Sequence, residues 1–186
     1  MEKNDYFQNL IKMRRSVRKY TEAPVSIDAV LTCVEAARMA PSACNIQPWH
    51  FIVVNEPELK KVLYKKAFSG ILGINSFVAT ASIFIVVVTK RDIITNRIAA
   101  GMKRIPYYLL DIGAACQQLL LQATELGIGS CWLGWFKEKP IKRCLSIPAG
   151  KKVVSIIALG IPSESLEEAK EKKRKELNEI VSFNKY

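Results

Sequence analysis

The run Phe77 to Val88, FVATASIFIVVV, constrains the fold more than any other stretch of the chain. It is too short for a membrane-spanning helix, which needs roughly 20 apolar residues, and its β-branched second half favours an extended backbone. Because it is apolar on both faces, Ser82 to Thr89 is expected as a strand inside a sheet, covered above and below. A chain of 186 residues, 49% of them apolar, can supply that cover and is too apolar for intrinsic disorder. A single domain over residues 1–186 is expected.

The covering elements are legible as well. Tyr6, Leu10 and Met13 recur at helical spacing, as do Ile27, Val30, Leu31, Val34 and Ala37 behind Ser26, an N-cap residue. Trp49 to Val54 reads as a strand, and Pro57 opens a short helix with a lysine-rich outer face. Tyr107 to Leu126 is helical in pattern, apolar nearly all round and stopped by Gly127, so it belongs in an interior or a subunit interface. Ile128 to Leu133 and Val153 to Gly160 read as two further strands with a short basic helix between them. Beyond Pro162 the chain turns polar and then ends apolar, at Leu177, Ile180, Val181 and Phe183, a finish that needs a docking site on its own domain or on a second subunit.

Composition removes several function classes. One histidine, His50, leaves no material for a multi-histidine metal site and little for a hydroxyl or thiol nucleophile activated by imidazole. Five cysteines without a CxxC spacing argue for reduced thiols; no metal site is expected. Cys44, Cys131 and Trp132 read as packing residues and His50 as a structural histidine. The opening MEKNDYFQNLIKMRRS lacks the apolar core of a secretory signal, so a cytoplasmic location is expected, with no membrane partner. The formal charge of +11 is clustered at residues 12–19, 60–66 and 137–143, while acids offset the bases in the tail EEAKEKKRKEL. A nucleic-acid arm is therefore a poor description of the tail, and no nucleic-acid partner is expected.

Four constellations remain. Arg14, Arg15, Ser16 and Arg18 offer forked guanidinium donors and a hydroxyl, a set suited to phosphate unless they form a solvated basic turn. The loop Pro41-Ser42-Ala43-Cys44-Asn45-Ile46-Gln47-Pro48 presents amide groups that match alternating C=O and N–H groups of a planar ring, unless they only satisfy the loop's own backbone. Gly127, Gly129 and Gly134 alternate with bulky residues and allow backbone to approach a flat ligand, or else make a helix-to-strand turn. Lys172 and Arg174, remote in sequence, are available to converge with Arg14 on one phosphate. Together these are the parts of a site for a phosphorylated flat cofactor.

In their order RRSVRKY, APSACNIQPWHF, DIGAACQQLLLQATELGIGSCWLG and KRKELNEIVSFNKY, the motifs resemble the flavin-dependent nitroreductase family over nearly the whole chain. The resemblance implies an α+β fold with a central antiparallel sheet flanked by helices, and a homodimer with FMN at the subunit interface. Residues 163–186 would form a C-terminal arm exchanged between subunits. By position, it implies that Arg14, Arg15, Ser16, Arg18, Arg174 and Lys172 hold the phosphate and ribityl chain. Pro41, Ser42, Ala43, Asn45 and Gln47 would approach the flavin from the other subunit, and Trp132, Leu133 and Gly134 would lie along the ring. NADH or NADPH would reduce the flavin and a planar small-molecule acceptor, a nitroaromatic or quinone, would reoxidise it, with no catalytic side chain required. Where some members carry a glutamate beside the flavin, this chain has Gly134, and the stretch from Lys90 to Pro106 is too short to read as a substrate lid. A flavin-dependent dehydrogenase, an FMN-binding sensor and a basic nucleic-acid-binding module are the rival expectations.

Overall fold

The computed structural model describes residues 3–68, 76–90, 106–167 and 172–186; the expectation about a lid falls on 91–105, outside them. The elements run α1 (Lys3–Met13), α2 (Ile27–Arg38), β1 (Trp49–Val54), α3 (Pro57–Ala67), β2 (Ile83–Thr89), α4 (Tyr107–Glu125), β3 (Gly129–Leu133), α5 (Glu138–Cys144) and β4 (Val153–Gly160). Ser26 caps α2 by accepting from the Ala29 amide at 3.2 Å, and Gly127 ends the α4 region at φ +70°.

The four strands form one antiparallel sheet in the order β1-β2-β4-β3. The apolar run thus sits in the middle, as its two-faced hydrophobicity requires, and every residue of β2 is buried. Alternation divides it cleanly. Ile83, Ile85 and Val87 pack with Ile157 and Leu159 against α2 and α4, whereas Phe84, Val86 and Val88 pack with Ile156 and Ala158 against α3 and α5. The result is an α+β arrangement with helices on both faces of the sheet.

The sheet edge at β3 is extended by the segment after α1. Ser16 bridges Ser130 in parallel, and the Val17 amide donates to the Ser130 carbonyl at 2.8 Å. Farther on, Tyr20 bridges Pro162, and the Thr21 amide donates to the Ile161 carbonyl at 2.8 Å. This crossing is close because Gly129 and Gly160, paired across β3 and β4, have no side chains. A Cβ on Gly129 would come within 2.9 Å of Val17 Cγ1, and one on Gly160 within 2.6 Å of the Tyr20 ring. Gly129 therefore admits Val17, not a flat ligand, which corrects one of the sequence expectations.

The Tyr20 ring cannot swing aside easily, since it is buried and its hydroxyl donates to the Val17 carbonyl at 2.9 Å. Gly160→Ala should therefore cost about 1–3 kcal/mol through overpacking. Thermal unfolding followed by circular dichroism checks this; a melting temperature equal to the wild type would contradict the close approach.

Candidate functional site

The Ser16–Ser130 pairing delivers the first basic cluster to the outer edge of β3, at the sheet end where Gly129, Gly160, Ile83 and Val54 lie. Two constellations far apart in sequence, Arg14 to Arg18 and Gly127 to Gly134, are thus neighbours. The tail joins them. Lys172 Nζ donates to the Ile11 carbonyl at 3.0 Å and also to the Arg14 carbonyl, so the chain after residue 171 is tied to the C-terminal end of α1. Arg174 lies close enough to Arg14 for the two charges to interact.

No acid neutralises Arg14 among the described residues, and the electrostatic consequence is visible. Burial lowers the pKa of Arg14, and repulsion by Arg174 lowers it further. Lys172 is lowered by burial, then by Arg14 and Arg174. Three like charges gathered without a counter-charge create a positive field that would attract an anion. Two residues past Ser16, Arg18 holds its guanidinium 5.8 Å from the centre of the Phe77 ring, a contact that sequence inspection missed.

Arg15 is placed differently. Its NH1 pairs with Glu164 at 3.6 Å and its NH2 donates to the Ser165 carbonyl at 3.1 Å, so it braces the segment after β4, while its buried Nε has no protein partner. Ser130 is a second residue that motif reading passed over. It is buried, and its Oγ has no hydrogen-bond partner. Cys131 and Leu133 point into the α3–α5 core, so alternation puts Ser130 and Trp132 on the opposite face. A polar residue in an otherwise apolar strand is the signal that marked it. Trp132 is 39% exposed and a Cβ on Gly134 would meet nothing within 4 Å, leaving open space along this edge.

The packing reading therefore holds for Cys131 and fails for Trp132 and Cys44, both exposed. Burial raises the Cys131 pKa although Arg18 and Arg14 oppose it, which keeps the thiol protonated and poor as a nucleophile. His50 is exposed on β1. No group of three or more His, Cys, Asp or Glu side chains suited to a metal occurs among the described residues.

The loop Pro41 to Pro48 folds on itself. Ser42 Oγ accepts from the Gln47 amide at 2.9 Å, Gln47 Nε2 donates to Asn45 Oδ1 at 3.0 Å, and the Ala43 amide donates to Asp111 of α4 at 3.2 Å. Cys44, Asn45 and Gln47 all have φ near +50°, a left-handed backbone unusual for non-glycine residues and typical of sites under functional constraint. These bonds fix the loop's shape and engage neither the Asn45 side-chain nitrogen nor the Gln47 side-chain oxygen.

Within one chain the loop does not meet the cationic cluster. It leads into Trp49, on the β1 edge and at the opposite end of the strands from Gly129 and Gly160. With three inter-strand gaps the two edges are about 14 Å apart. The two halves of the expected site thus occupy diagonally opposite corners of the sheet.

Comparison with known proteins agrees with this architecture. A family model described as the Nitroreductase family matches residues 11–74 and 70–161. An Archaeoglobus fulgidus relative, whose name pairs NADH dehydrogenase with NAD(P)H nitroreductase, is 35% identical over 161 residues, 83% of this chain and 84% of its own length. The structure of an FMN-dependent nitroreductase from Clostridium difficile R20291 superposes with a TM-score of 0.76 at 28% identity, covering 96% of this chain and 99% of that one. A nitroreductase family protein from Streptococcus pneumoniae TIGR4 reaches 0.79 at 26% identity, covering 96% of this chain and all of its own. With its antiparallel sheet, its flanking helices and a family match across most of its length, the chain belongs to the Nitroreductase family of oxidoreductases.

Proposed function

We propose that the chain is an FMN-dependent NAD(P)H oxidoreductase that works as a homodimer, each flavin lying between the β3 edge of one subunit and the Pro41–Pro48 loop of the other. The observation that carries this reading is the convergence of Arg14, Lys172 and Arg174 on one corner of the sheet with no acid beside Arg14. A phosphate monoester, dianionic and rich in acceptors, is the complement of such a cluster. The names of the similar proteins, an FMN-dependent nitroreductase and an NAD(P)H nitroreductase among them, support the same cofactor pair.

In this reading Arg14, Ser16, Arg18, Lys172 and Arg174 hold the phosphate and ribityl chain, with Arg15 bracing them from behind through Glu164. Ser130 Oγ, buried without a partner, gains one when the site fills. Trp132, Leu133 and Gly134 line the ring, where the missing Cβ of Gly134 leaves room for close approach. From the second subunit, Pro41, Ser42, Ala43, Asn45 and Gln47 deliver amide groups to the ring edge, already ordered by the bonds inside the loop. When bound, FMN supplies the redox chemistry, taking a hydride from NADH or NADPH and passing reducing equivalents to a planar nitroaromatic or quinone. No side chain is assigned an acid–base role; the chain's own residues would bind and orient the flavin.

The same reading accounts for surface that a single chain leaves uncovered. Leu110 on α4 is 59% exposed and Phe183 in the tail 87% exposed, and Tyr107, Leu177 and Ile180 are exposed as well. A second copy packed on α4, with 163–186 as an exchanged arm, would bury them.

Anaerobic addition of NADH or NADPH to the purified protein should bleach its flavin band; a yellow protein that neither cofactor bleaches would contradict the donor assignment. Arg14→Ala removes a charge-assisted bond worth about 1.5–3 kcal/mol, so FMN affinity should fall roughly tenfold to a hundredfold. Fluorescence titration of the apoprotein measures this. Truncation after Pro162 should give monomers by sedimentation velocity, and an intact dimer would remove the arm from the interface.

A further inference from the structure

The second and third basic clusters of the sequence take no part in the site described above, and the fold makes them one surface. Helices α3 and α5 lie side by side on the same face of the sheet, sharing Leu63, Ala67 and Ile141 in the core, and the Lys137 amide donates to the Ala67 carbonyl at 2.8 Å. Residues 57–67 and 137–152 carry ten cations, nine of them lysine, against two acids. That is a net +8 of the chain's +11.

Three of the ten serve the fold. Lys60 donates to the Ala81 and Ser82 carbonyls, Lys142 to those of Ala149 and Lys151, and Lys151 to that of Lys90. Lys61, Lys65, Lys66, Lys137, Lys139, Arg143 and Lys152 are exposed. Lys61 and Lys65, like Lys139 and Arg143, stand at i and i+4 on their helices, a like-charge spacing that opposes helix stability. A surface that disfavours its own helices in this way suits a negatively charged partner.

Three observations narrow the partner. Lysine outnumbers arginine nine to one, so the face offers point charges for diffuse, non-directional attraction and steering and not the forked guanidinium geometry of bidentate recognition. Val62 is the one large apolar side chain among the exposed residues of α3, too little to anchor the face in a lipid surface. The patch also starts beside the site. Lys137 is three residues beyond Gly134, so their Cα atoms are at most about 11 Å apart, and Trp135, 67% exposed, stands between them.

We propose that the α3–α5 face docks an acidic one-electron carrier protein, which reduces the flavin through the exposed Trp135 beside Gly134 as an alternative to a nicotinamide. The inference rests on the flavin reading above. Two carrier molecules each lose one electron; the flavin gains both electrons and one proton from solvent, then gives them to the same acceptor. Encounters of this kind are small, steered by charge and weakened by salt.

The test uses the flavin-loaded dimer, a chemically reduced acidic 2Fe–2S ferredoxin as the probe, and the triple variant K65E/K66E/K139E, none of whose positions touches the cofactor site. Under anaerobic stopped flow, ferredoxin should reduce the wild-type flavin at a rate that falls steeply with salt. The variant should be slower by about tenfold or more, the scale of electrostatic steering, while its reduction by NADH or NADPH is unchanged. Equal ferredoxin rates for wild type and variant would overturn the proposal. So would a wild-type flavin that a nicotinamide bleaches but ferredoxin does not, including the case in which the patch instead binds duplex DNA or anionic vesicles. A protein that takes up no FMN would remove the flavin reading itself, an outcome recognisable before any carrier is added.

Discussion

The pairing of Ser16 with Ser130 is the contact on which the rest of the site depends. Through it a strand-like segment just after α1 is laid along the sheet edge, and the guanidinium of Arg14 arrives at β3 with it. The pairing is possible because Gly129 and Gly160 leave a notch that Val17 and Tyr20 fill. A short stretch of packing against two glycines therefore determines where a positive cluster stands some 115 residues away in sequence. Lys172, bound to carbonyls at the end of α1, extends the same logic to the tail.

Electrostatics and strain then point the same way. Charges gathered without a counter-ion raise the energy of the empty site and lower it once an anion enters. The Pro41–Pro48 loop shows the corresponding feature in its backbone, with three left-handed non-glycine residues held by side-chain bonds and by Asp111. Both halves are arranged in advance, and they sit at opposite corners of the sheet. The proposed dimer, in which the cationic corner of one subunit faces the loop corner of the other, would resolve the separation, and the exposed Tyr107 and Leu110 at the start of α4 would lie in its interface.

The fold was legible because its central strand announces itself: no other placement of IFIVVVT buries both faces. Helix starts at Ser26 and Pro57 and the stop at Gly127 were equally readable, since each rests on local backbone chemistry. Less of the site was legible. Glycine at 129 looked like space for a ligand and is space for Val17, a distinction that depends on a residue 112 positions away. Arg15 looked equivalent to Arg14, yet Glu164 turns it aside. The strained backbone at Cys44, Asn45 and Gln47 had no glycine to signal it, and the union of two lysine clusters into one face follows only from the packing of α3 on α5.

The most direct test of a site shared between two chains is complementation in a mixed dimer. One chain carries Arg14→Ala and the other Asn45→Ala with Gln47→Ala, each with its own affinity tag, so that the mixed species can be isolated and its flavin content measured. Homodimers of either variant should lose flavin, while the mixed dimer should regain one intact site, assembled from the unaltered Arg14 of one chain and the unaltered loop of the other, and bind FMN with wild-type affinity at half the stoichiometry. A mixed dimer as empty as its two parents would mean that each flavin is held by a single chain.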